Sequence, residues 1–138
     1  MPAISIPWWG QVEKRIFTRL KTKLNTALGS TFTDLFCTSS PMSKAASKFP
    51  TVYFRMIDWS ETGNDLQNTE TNAVWATAQI DVISNTSKDD CETVIYQTIN
   101  IMKSMRFSMI GMPTYTTSNN LYTGIVRFRR VIGQGDTI

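Results

Sequence analysis

The fold is decided by FPTVYFRMIDW (residues 49–59), which is followed by AVWATAQIDVIS (residues 73–84). In the first stretch apolar and polar residues alternate from Val52 to Met56, and the second stretch repeats this period of two. Such alternation predicts two half-buried β-strands. The intervening SETGNDLQNTET (residues 60–71) is almost entirely polar and predicts a long solvated loop. Loops of this length often carry function, so we regard this loop as a candidate contact element.

Two other segments show the three- and four-residue spacing of apolar residues that is typical of an amphipathic helix. The first covers residues 9–28, and Gly29 indicates its end. The second begins at Ser87 and Asp90, whose spacing resembles a capping box, and runs to about Met105. The acidic residues at its start suit a capping role better than a metal site, because no further ligand residue accompanies them.

The rest of the chain supplies a connector and two further strands. Residues 30–48 predict a connector that contains one helical turn or one short strand. FSMIGMPTYT (residues 107–116) predicts an irregular edge strand, since Gly111 and Pro113 interrupt it. LYTGIVRFRRVI (residues 121–132) predicts the final strand, with apolar residues alternating along one side.

The order of these elements is α-β-β-α-β-β, which predicts an α+β two-layer sandwich. We expect about four mostly antiparallel strands, with the two amphipathic helices on one face of the sheet. A chain of 138 residues, of which 41% are hydrophobic, suits a single domain. We therefore expect one domain over residues 1–138, made of an N-terminal arm (1–9), an α+β core (10–132) and a C-terminal tail (133–138).

Other features bear on the cellular location. No apolar run approaches the roughly 20 residues of a membrane-spanning helix. The chain does not open on the pattern of a signal peptide, so we expect synthesis and retention in a cytoplasm. Cys37 and Cys91 lack the spacing of metal ligands, and in this compartment they are expected to be reduced thiols.

The sequence also argues against catalysis. It contains no His, which removes the commonest general base and metal ligand. It has no glycine-rich phosphate loop, no GxSxG motif and no spacing of acidic residues that marks a catalytic pair of carboxylates. We therefore expect a protein that is not an enzyme and that has no catalytic residue, cofactor or metal.

Charge is distributed unevenly along the chain, although the net charge is only +3. Residues 1–57 contain eight Lys/Arg and two acidic residues, residues 58–92 contain one Lys and eight acidic residues, and residues 93–138 contain five Lys/Arg and one acidic residue. These stretches can present faces of opposite sign unless the fold interleaves them. The basic side of the first helix has two interpretations, a solvated face or a face that meets phosphate or an acidic partner.

The sheet face away from the helices is expected to combine aromatic and Arg residues, a mixture typical of interfaces. The Trp pair in the arm has two interpretations as well: one ring covers the start of the first helix, or the arm docks on a neighbouring subunit. Together with acidic residues of the loop and the basic helix side, these residues are our candidate contacts for subunits or partners: Trp8, Trp9, Lys14, Arg15, Arg19, Tyr53, Arg55, Glu61, Asp65, Glu70, Trp75, Arg127 and Arg129.

Several segments, in their order and spacing, resemble the tail terminator and tail completion proteins of long-tailed bacteriophages. These are the FP-initiated strand FPTVYF, the strand AVWATAQIDVISN, the helix CETVIYQTINIMKSMRF and the closing LYTGIVRFRRVI. The likeness covers about residues 10–132 and includes no catalytic motif. The Trp-Trp arm and the GQGDTI tail lie outside it.

The resemblance implies a small structural subunit that forms a ring, usually a hexamer, at the head-proximal end of the tail tube. Such a ring ends tube polymerisation and offers a docking surface for the head. The implied partners are the major tail tube protein below and a head-completion, stopper or connector protein above, with DNA passing through the lumen without sequence-specific binding. The implied location is the virion, after assembly in the host cytoplasm.

Two alternatives stay open from the sequence. One is a head-tail connector or stopper protein of the neck, which would share much of this appearance. The other is a small nucleic-acid-binding module that uses the basic first helix, although the chain has no recognised nucleic-acid-binding signature.

Overall fold

The computed structural model describes residues 8–39, 49–64 and 71–138. Its helices are a short 3₁₀ helix (Trp8–Gln11), α1 (Val12–Leu28) and α2 (Lys88–Ser104). Its strands are β1 (Phe36–Thr38), β2 (Thr51–Asn64), β3 (Thr71–Ser84), β4 (Ser108–Met109), β5 (Thr114–Ser118) and β6 (Leu121–Gly133). The chain therefore has the α+β class and the two long helices that the sequence predicts.

The strands form one six-stranded sheet in the order β1-β2-β3-β6-β4, and β5 also pairs with β6. The predicted sheet of about four strands was too small. The connector contributes β1, which pairs in parallel with β2, so the sheet is mixed. The segment after α2 forms β4 and β5 instead of one irregular strand. Between them Gly111 has a left-handed backbone (φ 69°), a conformation that glycine adopts without a steric cost.

Both helices pack on one face of the sheet. Phe54 of β2 and Val126 of β6 both lie opposite Ile80 of β3, and all three side chains are buried. The Phe17 ring of α1 packs 5.8 Å from the Phe54 ring, measured between ring centroids. The Cys91 thiol of α2 donates a 3.4 Å hydrogen bond to a carbonyl oxygen of β3. These contacts give the two-layer arrangement of helices on sheet.

The helices begin and end close to their predicted positions. The side-chain oxygen of Ser87 accepts a 3.1 Å hydrogen bond from the Asp90 backbone N–H, which satisfies a free donor at the start of α2. Gly29 follows α1 in a right-handed conformation (φ −61°). It therefore ends the helix without a left-handed cap, and a Cβ at this position would lie 2.4 Å from the Asn25 carbonyl oxygen. The buried stripe of α1 is Val12, Ile16, Leu20, Leu24 and Leu28.

The central hairpin is longer than the sequence predicted. β2 and β3 remain paired out to Asn64 and Thr71, so residues 60–64 belong to a strand and not to the expected loop. The prediction was wrong there because pairing between strands satisfies backbone hydrogen bonds whatever the polarity of the side chains. The remaining residues of that predicted loop, 65–70, lie outside the described residues.

A β-bulge at Ile57 changes which side chains of β2 face the core. Met56 lies opposite Ala78 and Asp58 lies opposite Thr77, so Ile57 is the extra residue. Without it, Asp58 would point into the core with Met56. With it, Asp58 moves to the other sheet face and Trp59 packs against the core.

Trp8 and Ile138, at opposite ends of the described residues, both pack against the core. Trp8 is the first residue of the 3₁₀ helix and packs against the hydrophobic core. The tail, which the sequence predicts to be polar, also packs on the core through the partly buried Ile138. The Arg19 guanidinium donates a 2.5 Å hydrogen bond to the Ile138 carbonyl oxygen.

No helix among the described residues is long and apolar enough to cross a membrane.

Candidate interaction surface

The sheet face opposite the helices, which we call the open face, is built by the side chains that alternate with the buried ones. The pairing of β2, β3 and β6 determines which residues lie at the centre of the open face, because residues directly opposite each other on paired strands point to the same side of the sheet. Three successive rows cross these strands: Arg55, Gln79 and Arg127; Asp58, Thr77 and Arg129; and Ser60, Trp75 and Val131. The candidate contacts Arg55, Trp75, Arg127 and Arg129 therefore lie together on one surface, and Tyr53 lies one row beyond, opposite Asp81.

A chain of hydrogen bonds orders the middle of the open face. The Arg127 Nε–H donates a 2.9 Å hydrogen bond to Gln79 Oε1. The Gln79 Nε2–H in turn donates a 3.0 Å bond to Asp81 Oδ1. Gln79 is only 4% exposed, so its amide is fixed beneath the longer side chains. The guanidinium of Arg127 is held in place at one nitrogen while the side chain remains exposed.

Aromatic rings on the open face lie beside guanidinium groups. The Arg129 guanidinium carbon lies 4.6 Å from the centroid of the Trp75 ring. The Arg55 guanidinium carbon lies 5.6 Å from the centroid of the Tyr53 ring. Both distances are within the range of a cation–π interaction, which contributes about 0.5–1 kcal/mol at an exposed site. Trp75 is nevertheless 36% exposed, which leaves a large aromatic surface for a partner.

Charges of both signs alternate on the open face. Asp58 and Asp81 belong to the acidic stretch of the sequence, yet the register places them among Arg55, Arg127 and Arg129. The fold therefore interleaves acidic and basic residues here instead of separating them. An interface on this face would be specified by the pattern of charges and rings, since its net charge is small.

The basic residues of α1 lie on a different surface. Lys14, Arg15 and Arg19 are exposed along this helix, which has a single acidic residue, Glu13, in its first turn. Arg19 is engaged with the carbonyl oxygen of Ile138. The helix therefore presents a basic side in the helical layer, on the opposite side of the sheet from the open face.

The remaining candidate contacts are dispersed. Trp8 packs against the core, in keeping with the interpretation that one ring covers the start of α1, whereas Trp9 is 42% exposed. Glu61 lies in β2 opposite Val74 and not in a loop, which corrects its expected position. Asp65 and Glu70 lie outside the described residues.

Sequence reasoning missed several residues of these surfaces. Val131 shares the side of Arg127 and Arg129 and is exposed beside Trp75, a position that the period of two could have revealed. Ile57 is exposed because it is the bulged residue, and no local pattern marks it. Arg130 points to the core side and is 7% exposed, because its Nη1–H donates a 2.8 Å hydrogen bond to the Met105 carbonyl oxygen.

The titratable groups of the core give no indication of reactivity. Burial is the main cause that raises the pKa of the Cys37 and Cys91 thiols to about 11, so both are protonated near neutral pH. A protonated thiol is a poor nucleophile and a poor metal ligand. The described part of the chain also contains no group of three or more Cys, Asp or Glu residues that could hold a metal ion.

Comparison with protein-family models and with curated proteins found no match for this chain.

Proposed function

We propose that this protein is a structural virion subunit that forms a ring at the head-proximal end of a bacteriophage tail tube. The ring ends tube polymerisation and provides the docking surface for the head and neck. Its partners in this proposal are further copies of the chain, the major tail tube protein below and a head-completion, stopper or connector protein above. The proposal rests on the order and spacing of segments that resemble tail terminator and tail completion proteins.

The observation that best supports an assembly role is the open face. One side of the sheet is covered by both helices, whereas the other exposes Trp75, Arg127 and Val131. Trp and Arg are enriched at protein interfaces and are frequent anchors there. The hydrogen bond from Arg127 to Gln79 orients this surface before any partner arrives, which lowers the entropy lost on binding.

A ring with one rotation axis needs two different complementary surfaces on each subunit. The basic side of α1 is the candidate for one of them. The candidate for the other is the part of the acidic stretch 58–92 that lies outside the open face, including Asp89 and Asp90 at the start of α2, on the next copy. Exposed charges of this kind set orientation and encounter rate more than final affinity, and they are screened over about 8 Å at physiological salt.

Electron microscopy of the negatively stained protein tests the proposal directly. The purified chain is imaged alone, mixed with tail tubes and mixed with heads that lack tails. Rings that sit on one end of each tube and stop its growth are the expected result. Binding to heads with no effect on tubes would instead identify a neck connector or stopper, and assembly that requires added DNA would favour the nucleic-acid-binding alternative.

Reversing the charge of α1 tests how the ring closes. A variant with Glu at Lys14, Arg15 and Arg19 is expected to assemble more slowly, and the unmodified protein is expected to assemble more slowly at high salt. The control makes the same change in net charge at Lys44, Lys48 and Lys103. Light scattering over a salt series measures the rates, and rates indifferent to both salt and the α1 change would mean that apolar contacts close the ring.

A further inference from the structure

One cavity joins the edge of the open face to the end of α2, and we call it the arginine cavity. Its volume is about 450 Å³, and its lining residues are Trp75, Arg106, Ser108, Arg129, Arg130, Val131 and Asp136. It lies at the start of β4, whose first residue, Ser108, is opposite Arg129, so the next residues of β6 have no partner in β4. Volumes of this size are typical of ligand sites.

Three guanidinium groups line this cavity against one carboxylate. Arg130 is the buried member, and its Nη1–H donates to the Met105 carbonyl oxygen. Its Nη2 lies 3.6 Å from Asp136 Oδ2, an oxygen that also accepts a 2.8 Å bond from the Gly133 backbone N–H. Burial lowers the pKa of Arg130, Asp136 opposes this shift, and Arg106 adds to it by repulsion. The one carboxylate therefore leaves an excess of positive charge.

Arg129 and Arg106 carry the positive charge that is not balanced, because Asp136 is paired with Arg130. The Arg129 guanidinium carbon lies over the Trp75 ring, 4.6 Å from its centroid, and a guanidinium has five N–H groups in its plane with which to bind a carboxylate. Arg106 has a left-handed backbone (φ 68°) just after α2. The Phe107 N–H donates a 3.0 Å hydrogen bond to the Met102 carbonyl oxygen, so this conformation ends the helix and places Arg106 beside the cavity.

We propose that the arginine cavity is a carboxylate-binding site that receives an acidic side chain from a protein segment. The planar fork of a guanidinium matches a carboxylate with two parallel hydrogen bonds, and a site with two available forks suits Asp or Glu.

The surroundings favour an acidic protein segment over nucleic acid. Single-stranded nucleic acid binds by stacking bases on aromatic rings, but Arg129 already covers one face of the Trp75 ring. On the adjoining open face Asp58 and Asp81 lie among Arg55 and Arg127, so no continuous basic path leads from the cavity for a phosphate backbone to follow. A short acidic peptide need not cross that face.

The site stands on the cavity alone and needs no ring. If the protein binds the acidic peptide but forms no rings, the proposed tail function is wrong and the carboxylate-binding site is retained. If it forms rings but does not bind the peptide, the site is wrong and the proposed tail function is retained.

Nuclear magnetic resonance of the whole, isotopically labelled chain tests the proposal at low salt. The arginine Nε–H signals are followed during separate titrations with a glutamate-rich peptide, inorganic phosphate and an oligothymidylate. The expected result is saturable movement of the Arg106 and Arg129 signals with the peptide, and much weaker effects of phosphate and oligonucleotide.

Two variants locate the site and one controls for charge. Arg129→Gln and Arg106→Gln are each expected to weaken peptide binding about tenfold or more, as for the loss of a hydrogen bond to a charged group. Lys23→Gln removes one positive charge from the exposed surface of α1, outside the cavity and outside the candidate contacts, and it is expected to leave affinity within about twofold. Circular dichroism confirms that each variant is folded.

Three results overturn the inference. The first is peptide titration without saturable movement of the cavity signals. The second is an equal loss of affinity in Lys23→Gln and in the two cavity variants, which would indicate attraction by net charge alone. The third is tighter binding of the oligonucleotide than of the peptide, which would assign the cavity to nucleic acid.

Discussion

Replacing Trp75 with Ala separates a role in assembly from a role in the core. The side chain is 36% exposed, so its truncation removes only part of the apolar burial of a core Trp. A fully buried Trp→Ala change costs about 3–5 kcal/mol. For Trp75 we expect a loss of about 1–2 kcal/mol in the free energy of unfolding, of which about 0.5–1 kcal/mol is the cation–π contact with Arg129.

The expected effect on association is larger. Truncating an aromatic anchor at the centre of an interface costs about 2 kcal/mol or more, which corresponds to about 30-fold in a dissociation constant because every 1.4 kcal/mol is tenfold. Trp75→Ala should therefore remain a folded monomer at concentrations where the unmodified protein forms rings. Urea titration measures the stability, and sedimentation velocity measures the association.

The control is Tyr96→Ala, which removes another exposed aromatic ring (55% exposed) from α2 in the helical layer. It is expected to leave association unchanged. If Trp75→Ala and Tyr96→Ala associate equally well, the open face is not an interface. If Trp75→Ala loses as much stability as a buried Trp, the ring belongs to the core and the assignment of sheet faces is reversed.

Three further outcomes follow from the packing. Gly124→Ala places a Cβ 3.0 Å from the Cys91 sulfur, so urea titration should show a loss of about 1–3 kcal/mol, whereas Gly133→Ala, with nothing nearer than 3.5 Å, should lose much less. Burial raises the pKa of Cys37 and Cys91 to about 11, whereas unfolded thiols titrate near about 8.5, so the free energy of unfolding should fall as pH rises between these values. The free energy of unfolding of a variant with Ala at both cysteines should fall less steeply. An equal slope in both proteins would contradict the burial of these thiols as the cause. Replacing residues 65–70 with Asn-Gly should preserve the melting temperature, because β2 and β3 pair up to this segment. The same replacement should abolish tail joining. Loss of the fold would show that the segment is structural, and full joining would show that it contacts no essential partner.

Much of the fold could be predicted because its signals are local. The period of two around Phe54 and Ile80 and the stripe of α1 each arise from neighbouring residues in the chain. The same alternation put Trp75 and Arg127 on one sheet face. Side chains alternate strictly along a strand, so a face can be read once a strand is recognised.

The features that were missed depend on residues distant in sequence. A short strand in the connector was one of two alternatives, and the parallel pairing of β1 with β2 that selects it could not be predicted. The bulge at Ile57 depends on the register of the partner strand, which no stretch of β2 specifies. Arg130 is buried because a carbonyl oxygen at the end of α2 and Asp136 both meet it. The arginine cavity draws its lining from β3, the end of α2, β4, β6 and the tail, so its composition could not be predicted from any one motif.

The separation of charge along the sequence survives in only one layer of the structure. On the open face, the pairing of β2, β3 and β6 places Asp58 and Asp81 among arginines, so the negative charge of the acidic stretch is balanced there. In the helical layer α1 remains basic, and the first turn of α2 carries Asp89 and Asp90. Under the proposed ring, long-range steering would therefore act through the helices, whereas the open face would supply short-range anchors. These are two different surfaces, as closure around one axis requires, and a rate that depends on salt together with an affinity that depends on Trp75 would distinguish them.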